Sequence, residues 1–403
     1  LPLFISRRIT RNERGAFSST IHRVAVVSIS LSLAALIVAF FVLYGFKDAI
    51  RDKVYGLSGH LVVDKYAVSN SFEDTSIQAD DSLLQQLLDM DGVSHAQPFV
   101  LKAGLLKTEE AVQGIVIKGV TERFDSLRFS EQMVEGRLPE VGGEKYATDV
   151  TISRKLANLL RLSVNDEVTL YFVQDPPRYR RIKVTGIYST GMQEFDEKII
   201  YGDAAMLQRI NGWDSLQASG IEVFLNNPSG IDRMEEAIFD ELSTDLNVTS
   251  AHRLHPHIFE WLKLLNRNVL ILLVIIIVVA AMGMISMVLI LIMERTKMIG
   301  ILKALGATNA LLRKIFVYQG ARLITRGLLI GNTVGLGICF IQDYFKVIPL
   351  DVENYYVHFV PITLDWLTLL GLNVMMFVLV GLTLFIPVQV VSGVQPVRAI
   401  RFD

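Results

Sequence analysis

Val269-Leu-Ile-Leu-Leu-Val-Ile-Ile-Ile-Val-Val-Ala-Ala-Met-Gly-Met-Ile-Ser-Met-Val-Leu-Ile-Leu-Ile-Met293 contains no charged residue. A helix rises 1.5 Å per residue, so about 20 apolar residues cross a hydrocarbon core of about 30 Å. This segment is long enough to span a membrane. Three others share its character: Val24 to Leu43, Ile315 to Ile341 and Leu367 to Val391. The interval 44–268 is mostly polar. The pattern predicts one span, a large soluble insert, and three further spans in close succession.

Basic residues set the expected orientation. Arg7, Arg8, Arg11, Arg14 and Arg23 precede the first span, Arg295, Lys297, Lys303, Arg313 and Lys314 fill the link after the second, and Arg398 and Arg401 lie near the end. Lys346 is the one basic residue between Gln342 and Trp366, against Asp343, Asp351, Glu353 and Asp365. Positive residues in short loops mark the cytoplasmic side. Both termini and the 294–314 link are therefore expected inside, and the insert and the 342–366 loop outside. The first span is longer than a signal-peptide core and lacks a small-residue cleavage site before Lys47, so it reads as a retained anchor. Leu1 in place of methionine suggests a processed start.

Composition narrows the function. The 39 basic residues nearly balance 41 acidic ones, which gives no reason to expect nucleic-acid binding. A disulfide within the chain is impossible, because Cys339 is the single cysteine, and it lies in an apolar span. His252, His255 and His257 form an H-x-x-H-x-H cluster, but no nearby cysteine completes a metal site and Pro256 interrupts any helical face. No G-x-x-x-x-G-K-[ST], H-E-x-x-H or G-x-S-x-G motif occurs. The chain has no catalytic signature and no phosphate-binding loop of its own.

The insert reads as mixed α and β. His60–Tyr66, Gly114–Val120, Glu167–Val173, Ile182–Tyr188 and Ile221–Leu225 have the composition and alternation of strands. Asp80 is placed to cap a helix carrying Leu83, Leu84, Leu87 and Leu88, and Ser153 one carrying Leu156, Leu159 and Leu160. A third helix is expected over Ile231–Leu242. Pro139, Gly142 and Gly143 form the best internal boundary. Gln174 to Arg181 is expected to join two strands as a loop, in which Pro176, Pro177, Arg178, Tyr179 and Arg180 supply either interface chemistry for an outer partner or a solvated tip.

Small residues recur in two spans: Ser28, Ser32, Ala35 and Ala39 in the first, and Gly327, Gly331 and Gly335 in the third. Such stripes permit close helix approach, at a subunit or substrate-cavity seam or within the bundle. Arg322 and Arg326 are costly at mid-membrane, so the third crossing is expected to begin near Gly327.

The sharpest local signal is Glu294-Arg-Thr-Lys-Met-Ile-Gly-Ile-Leu-Lys-Ala-Leu-Gly-Ala-Thr308. Ile301, Leu302 and Leu305 are expected to form an apolar face beside Lys297 and Lys303, suited to a short interfacial helix available to a cytoplasmic partner. With Ile315-Phe-Val-Tyr-Gln-Gly320, this stretch closely resembles the signature that follows the second span of FtsX-like, MacB-type ABC permeases. The one-plus-three layout is also that family's. Within it, the chain looks most like LolC/LolE-type subunits of lipoprotein-releasing systems, through Tyr44-Gly-Phe46, Leu88-Asp-Met-Asp-Gly-Val93, Lys183-Val-Thr-Gly-Ile-Tyr188, Phe259 to Asn268 and Gln395-Pro-Val-Arg-Ala-Ile-Arg-Phe402.

The resemblance implies an α-helical integral membrane protein with an extracytoplasmic α+β domain. Its expected parts are 1–46 with the first span, the periplasmic insert 47–265, the second span 266–293, the coupling link 294–314, the third span 315–341, an outer loop 342–366, the fourth span 367–391 and a tail 392–403. The insert would comprise porter-like halves at 47–120 and 219–265 around a β-rich part at 121–218. It also implies a non-catalytic permease of an inner-membrane ABC complex, paired with an identical or LolC/LolE-like second permease and a LolD-type ATPase dimer that holds ATP and Mg. The cargo would be acylated lipoprotein, drawn from membrane lipid and passed toward a LolA-like carrier. Met298, Ile301, Leu302, Lys303, Leu305 and Gly306 would couple to the ATPase. Phe40, Phe41, Leu43, Tyr44 and Phe46, with Phe259, Leu262, Leu265, Val269 and Leu273, would line the lipid cavity. The short hairpin at 174–181 departs from the extended hook of the carrier-recruiting subunit and leaves a LolE-like role or a homodimer open. MacB-type export of peptides or drugs, and FtsX-type control of a cell-wall hydrolase, are the related alternatives.

Overall fold

A computed structural model describes residues 16–66, 75–108, 111–143, 146–172, 174, 176–243 and 245–393. The basic residues at 7–14, Arg398 and Arg401, and the 395–402 motif lie outside this range. Two compact units emerge: Leu1–Asp48 with Trp261–Pro349 and Phe359–Asp403, and Ala49–Glu260 with Leu350–His358.

Among the described residues, four helices, whose greater part belongs to the first unit, are long and apolar enough to cross a membrane: His22–Ser58, Pro256–Glu294, Asn309–Phe345 and Trp366–Gln389. The first belongs to α1 (Ala16–Ser58). All four extend beyond or shift from the expected apolar bounds, because helical hydrogen bonding continues where the sequence turns polar. The fourth consists of two helices, Trp366–Thr383 and Phe385–Gly393, which meet at Leu384. The Asp365 carboxylate caps its start by accepting from the Leu367 and Thr368 amides.

The glycine stripe of the third span packs inside the bundle against the first. A methyl built on Gly327 meets Ile29 at 2.7 Å, one on Gly331 meets the Ser30 carbonyl oxygen at 2.8 Å, and one on Gly335 meets Ala34 at 3.1 Å. Ser30 Oγ donates to the Gly327 carbonyl at 3.0 Å, so the interface gains a polar link as well as close approach. The facing residues are Ile29, Ser30, Leu33, Ala34 and Ile37, rather than the Ser28, Ser32, Ala35, Ala39 stripe. Asn332 and Asn373 exchange amide hydrogen bonds of 2.7 and 2.9 Å, and each also donates to the carbonyl four residues before it. Cys339 is buried and free.

The second unit is built on one ten-stranded sheet. Its strands are β1 (Leu61–Lys65), β2 (Val93–Lys107), β3 (Val112–Val120), β4 (Met133–Gly136), β5 (Asp149–Ser153), β6 (Glu167–Phe172), β7 (Arg178–Tyr188), β8 (Ile199–Asp203), β9 (Gly220–Leu225) and β10 (Leu246–Ser250). The order is β10-β1-β9-β2-β3-β8-β5-β7-β4, with β6 pairing β2 and β7. This sheet runs through 47–120, 121–218 and 219–265 alike. Pro139–Gly143 therefore links strands of one sheet and is no boundary between folding units.

The expected helices form at Asp81–Asp89, Arg154–Leu160 and Ile231–Glu241. Asp80 accepts from the Leu83 amide at 2.9 Å and Ser153 from the Leu156 amide at 3.0 Å. Val100, Leu106, Ile117, Val150, Leu170 and Val184 are fully buried in a common core. Lys118 and Glu222, both buried, form an ion pair completed by Gln97 Nε2 and the Leu57 carbonyl, which meets the requirement that a buried charge be paired and hydrogen-bonded. Leu350–His358 joins this unit: Lys53 Nζ donates to the Thr190 carbonyl at 2.8 Å and to the Tyr356 carbonyl at 2.6 Å.

Candidate functional site

The link after the second span is a nine-residue helix, Thr296–Ala304. Its end is encoded by Gly306, whose φ of +90° suits glycine. The Gly306 amide donates to the Lys303 carbonyl and the Ala307 amide to the Leu302 carbonyl, the pair of bonds that defines a Schellman stop. Thr308 then caps the Asn309–Phe345 helix, accepting from the Leu311 amide at 3.3 Å. Thus Gly306 and Thr308 produce a tight corner two residues after the helix ends.

Not all of the expected apolar face turns outward. Ile301 and Leu305, one turn apart, are 54% and 79% exposed. Leu302 is half-buried against the bundle core, and Ile299 is fully buried. Met298 and Lys303 are intermediate. The free apolar edge is therefore Ile301–Leu305, and Leu302 anchors the helix to the bundle.

The aromatic run of the first span divides similarly. Phe41 is 1% exposed and belongs to the bundle core, and Leu43 is also buried. Phe40, Tyr44 and Phe46 are half-buried. The Phe40 and Tyr44 rings lie 6.3 Å apart on one face, and the Tyr44 hydroxyl lies 3.5 Å from Thr368 Oγ1. In the second span Leu265, Val269 and Leu273 are half-buried and Leu262 is buried. The exposed row on that helix comprises Leu270, Ile271, Val274, Ile275 and Val278. Phe259 falls in the other unit, edge-on to His252 at 4.2 Å and 6.2 Å from the Tyr55 ring. Of the ten residues, Phe41, Leu43, Leu262 and Phe259 are buried, while Phe40 and Tyr44 are half-buried on one face of the first span.

At the hairpin, Arg178 to Arg181 are part of β7, with Phe172 paired to Arg178 and Tyr171 to Tyr179. The loop is consequently shorter than Gln174–Arg181, and within it Val173 and Asp175 lie outside the described residues. Arg178 donates to the Ile210 carbonyl at 2.8 Å, which removes it from the free tip. Pro176, Pro177 and Tyr179 are exposed, and Arg180 is half-buried.

The histidine cluster disperses. His252 Nε2 lies 3.0 Å from the Tyr55 hydroxyl, and His255 faces Glu194 and the Phe195 ring. Among the described residues no three potential ligands converge on a metal position. His60, which the sequence reading missed, accepts from the Leu225 amide through Nδ1, and its ring lies tilted 4.3 Å from that of Tyr55. Burial, with Arg128 and Arg51 adding repulsion, pushes its imidazole down to about 4. Its signal was a lone polar residue at the start of an alternating apolar strand.

Comparison with known proteins adds the lineage. Residues 24–240 match the MacB-like periplasmic core domain and residues 270–396 the FtsX-like permease C-terminal domain. The lipoprotein-releasing system transmembrane protein LolC of Neisseria meningitidis serogroup B is 24% identical, with 98% of each chain covered. The corresponding LolE of Haemophilus influenzae is 23% identical, with 99% of each covered. The crystal structure of the periplasmic region of MacB from Actinobacillus actinomycetemcomitans aligns with 51% of this chain and 95% of its own at 12% identity and a TM-score of 0.36. The periplasmic-core match spans more than half of the residues and the permease match takes in the last three spans, so this chain belongs to the FtsX-like, MacB-type permease family.

Proposed function

We propose that this chain is a membrane subunit of an ATP-driven complex that extracts acylated lipoproteins from the outer leaflet of the inner membrane. Similarity along nearly the full length to LolC and LolE proteins carries the reading. The basic loops argue for cytoplasmic termini and a periplasmic insert. A chain without a phosphate-binding loop needs a separate ATPase, which would supply ATP and Mg, and the exposed Ile301–Leu305 edge is a suitable seat for a groove on that partner. A second permease subunit, identical or related, would complete the pair.

The energetics require such a machine. Burying acyl chain contributes about 0.8 kcal/mol per CH₂, so withdrawing several chains from lipid is steeply uphill without an apolar receiving surface and an energy source. Phe40 and Tyr44, at the outer end of the first span, offer part of that surface. The test is purification in mild detergent, with mass-spectrometric identification of bound chains and lipids. An ATPase recovered together with triacylated protein supports the reading; an ATPase recovered with peptide or drug cargo and no acylated protein refutes it.

A further inference from the structure

Between the cytoplasm-directed ends of the first and third spans lies a cavity of about 500 Å³ that coupling and cargo binding do not use. Its walls are polar at one end and apolar at the other. Arg23, Arg326 and His22 supply the polar part, and Val27, Leu329 and Ile330 the exposed apolar part. The two helices run in the same direction, since Gly327, Gly331 and Gly335 meet Ile29, Leu33 and Ile37 in ascending order. Arg23 immediately precedes the apolar stretch of the first span and Arg326 that of the third, so both guanidinium groups border the hydrocarbon layer. His22 Nε2 lies 3.5 Å from Nε2 of the buried Gln319.

Among the described residues, neither Arg23 nor Arg326 has an acidic partner and no carboxylate lines the cavity. Two exposed cations at the edge of the hydrocarbon layer, with an apolar groove leading away from them, match the geometry of one amphiphile. We propose that this cavity binds an anionic phospholipid of the cytoplasmic leaflet. Its phosphate is held by Arg23 and Arg326, and an acyl chain lies along Val27, Leu329 and Ile330. Guanidinium groups suit phosphate because their planar donors bind it bidentately. A zwitterionic lipid brings its own cation to the same place and gains less.

The site adjoins the helix contact that packs the bundle, so an occupant would brace the first span against the third without touching cargo. Binding of palmitoyl-oleoyl phosphatidylglycerol to the full chain in detergent, followed by native mass spectrometry, tests the proposal. The parent should retain this lipid in preference to palmitoyl-oleoyl phosphatidylcholine. Arg23→Gln with Arg326→Gln should weaken retention roughly 30-fold, at about a factor of five for each charge. Lys314→Gln, an exposed charge on the same helix, should change nothing. Arg23→Gln alone, at an exposed position, covers the case in which the double variant fails to fold, and should cost about fivefold. Ile330→Trp, which keeps both arginines but fills the groove, should also weaken binding. Undiminished retention by the folded arginine variants, equal retention of phosphatidylcholine, or displacement of the lipid by millimolar inorganic phosphate would each overturn the assignment, the last by revealing a free-anion site. A mass corresponding to two protein copies in place of lipid would overturn it as well.

Discussion

Replacing Gly331 with alanine isolates the energetic value of a close helix contact whose obstruction is backbone. The added methyl would sit 2.8 Å from the Ser30 carbonyl oxygen and 3.0 Å from Leu33 Cβ. Ordinary contact begins near 3.4 Å, so the helices must separate by about 0.6 Å, and the obstruction is backbone, which no rotamer change relieves. A gap of that size forfeits roughly a quarter of the dispersion energy of each contact along the seam, and overpacked cores typically lose about 1–3 kcal/mol. Greater helix propensity returns about 1 kcal/mol, leaving a net loss of up to about 2 kcal/mol. Gly337→Ala is the matched control: it lies on the same helix and its methyl meets nothing within 4 Å. Thermal unfolding in detergent, followed by helical circular dichroism, should show a melting point several degrees lower for Gly331→Ala and unchanged or higher for Gly337→Ala. Equal behaviour of the two variants would refute the close-packing argument.

On the proposed function, Leu305→Asp places a charge on the exposed Ile301–Leu305 edge and should weaken recovery of a partner ATPase more than 100-fold while leaving the melting point unchanged; Leu302→Asp, facing the core, should lower the melting point instead. A double-mutant cycle on Asn332→Leu and Asn373→Leu should yield a coupling energy of about 0.6–1.7 kcal/mol in detergent unfolding, and zero coupling would mean that the reciprocal amides do not hold these spans together. His60 titrates near 6.5 when unfolded and about 4 when folded, so between those values the unfolded chain binds the extra proton and stability declines as pH falls. Melting points measured from pH 7.5 to 4.5 should drop less steeply in His60→Gln than in the parent, and parallel curves would exclude this histidine as a source of acid sensitivity.

The membrane helices were legible because uncharged runs of spanning length have few alternative structures. Asp80 and Ser153 were legible as caps because each stands directly before a helical apolar pattern. By contrast, no strand was expected where β2 runs for fifteen residues through Pro98 and Gly104. Pro98 is accommodated opposite Ile221, and at Gly104 a side chain would meet the Tyr171 carbonyl at 3.1 Å, so this glycine marks the arrival of β6. The apolar residues of the Thr296–Ala304 helix could be grouped from the sequence but not sorted. A nine-residue helix with Met298, Ile299, Ile301 and Leu302 is apolar on several sides, and only tertiary packing selects Ile301 and Leu305 as the outward pair. Phe40 and Phe41 pose the same problem, since neighbours on a helix point about 100° apart and composition does not say which enters the core.

The position of β1 in the sheet carries a cost during biogenesis. Leu61, Val62 and Val63 cross the membrane early, yet both strands that flank them, β9 and β10, begin only at Gly220 and Leu246. At a synthesis rate of about 5–20 residues per second, β1 waits roughly 8–30 s with two open edges and an apolar face. Unpaired strands of this kind are templates for wrong pairing. The synthesis of residues 66–219 is therefore the interval in which β1 is most open to wrong pairing.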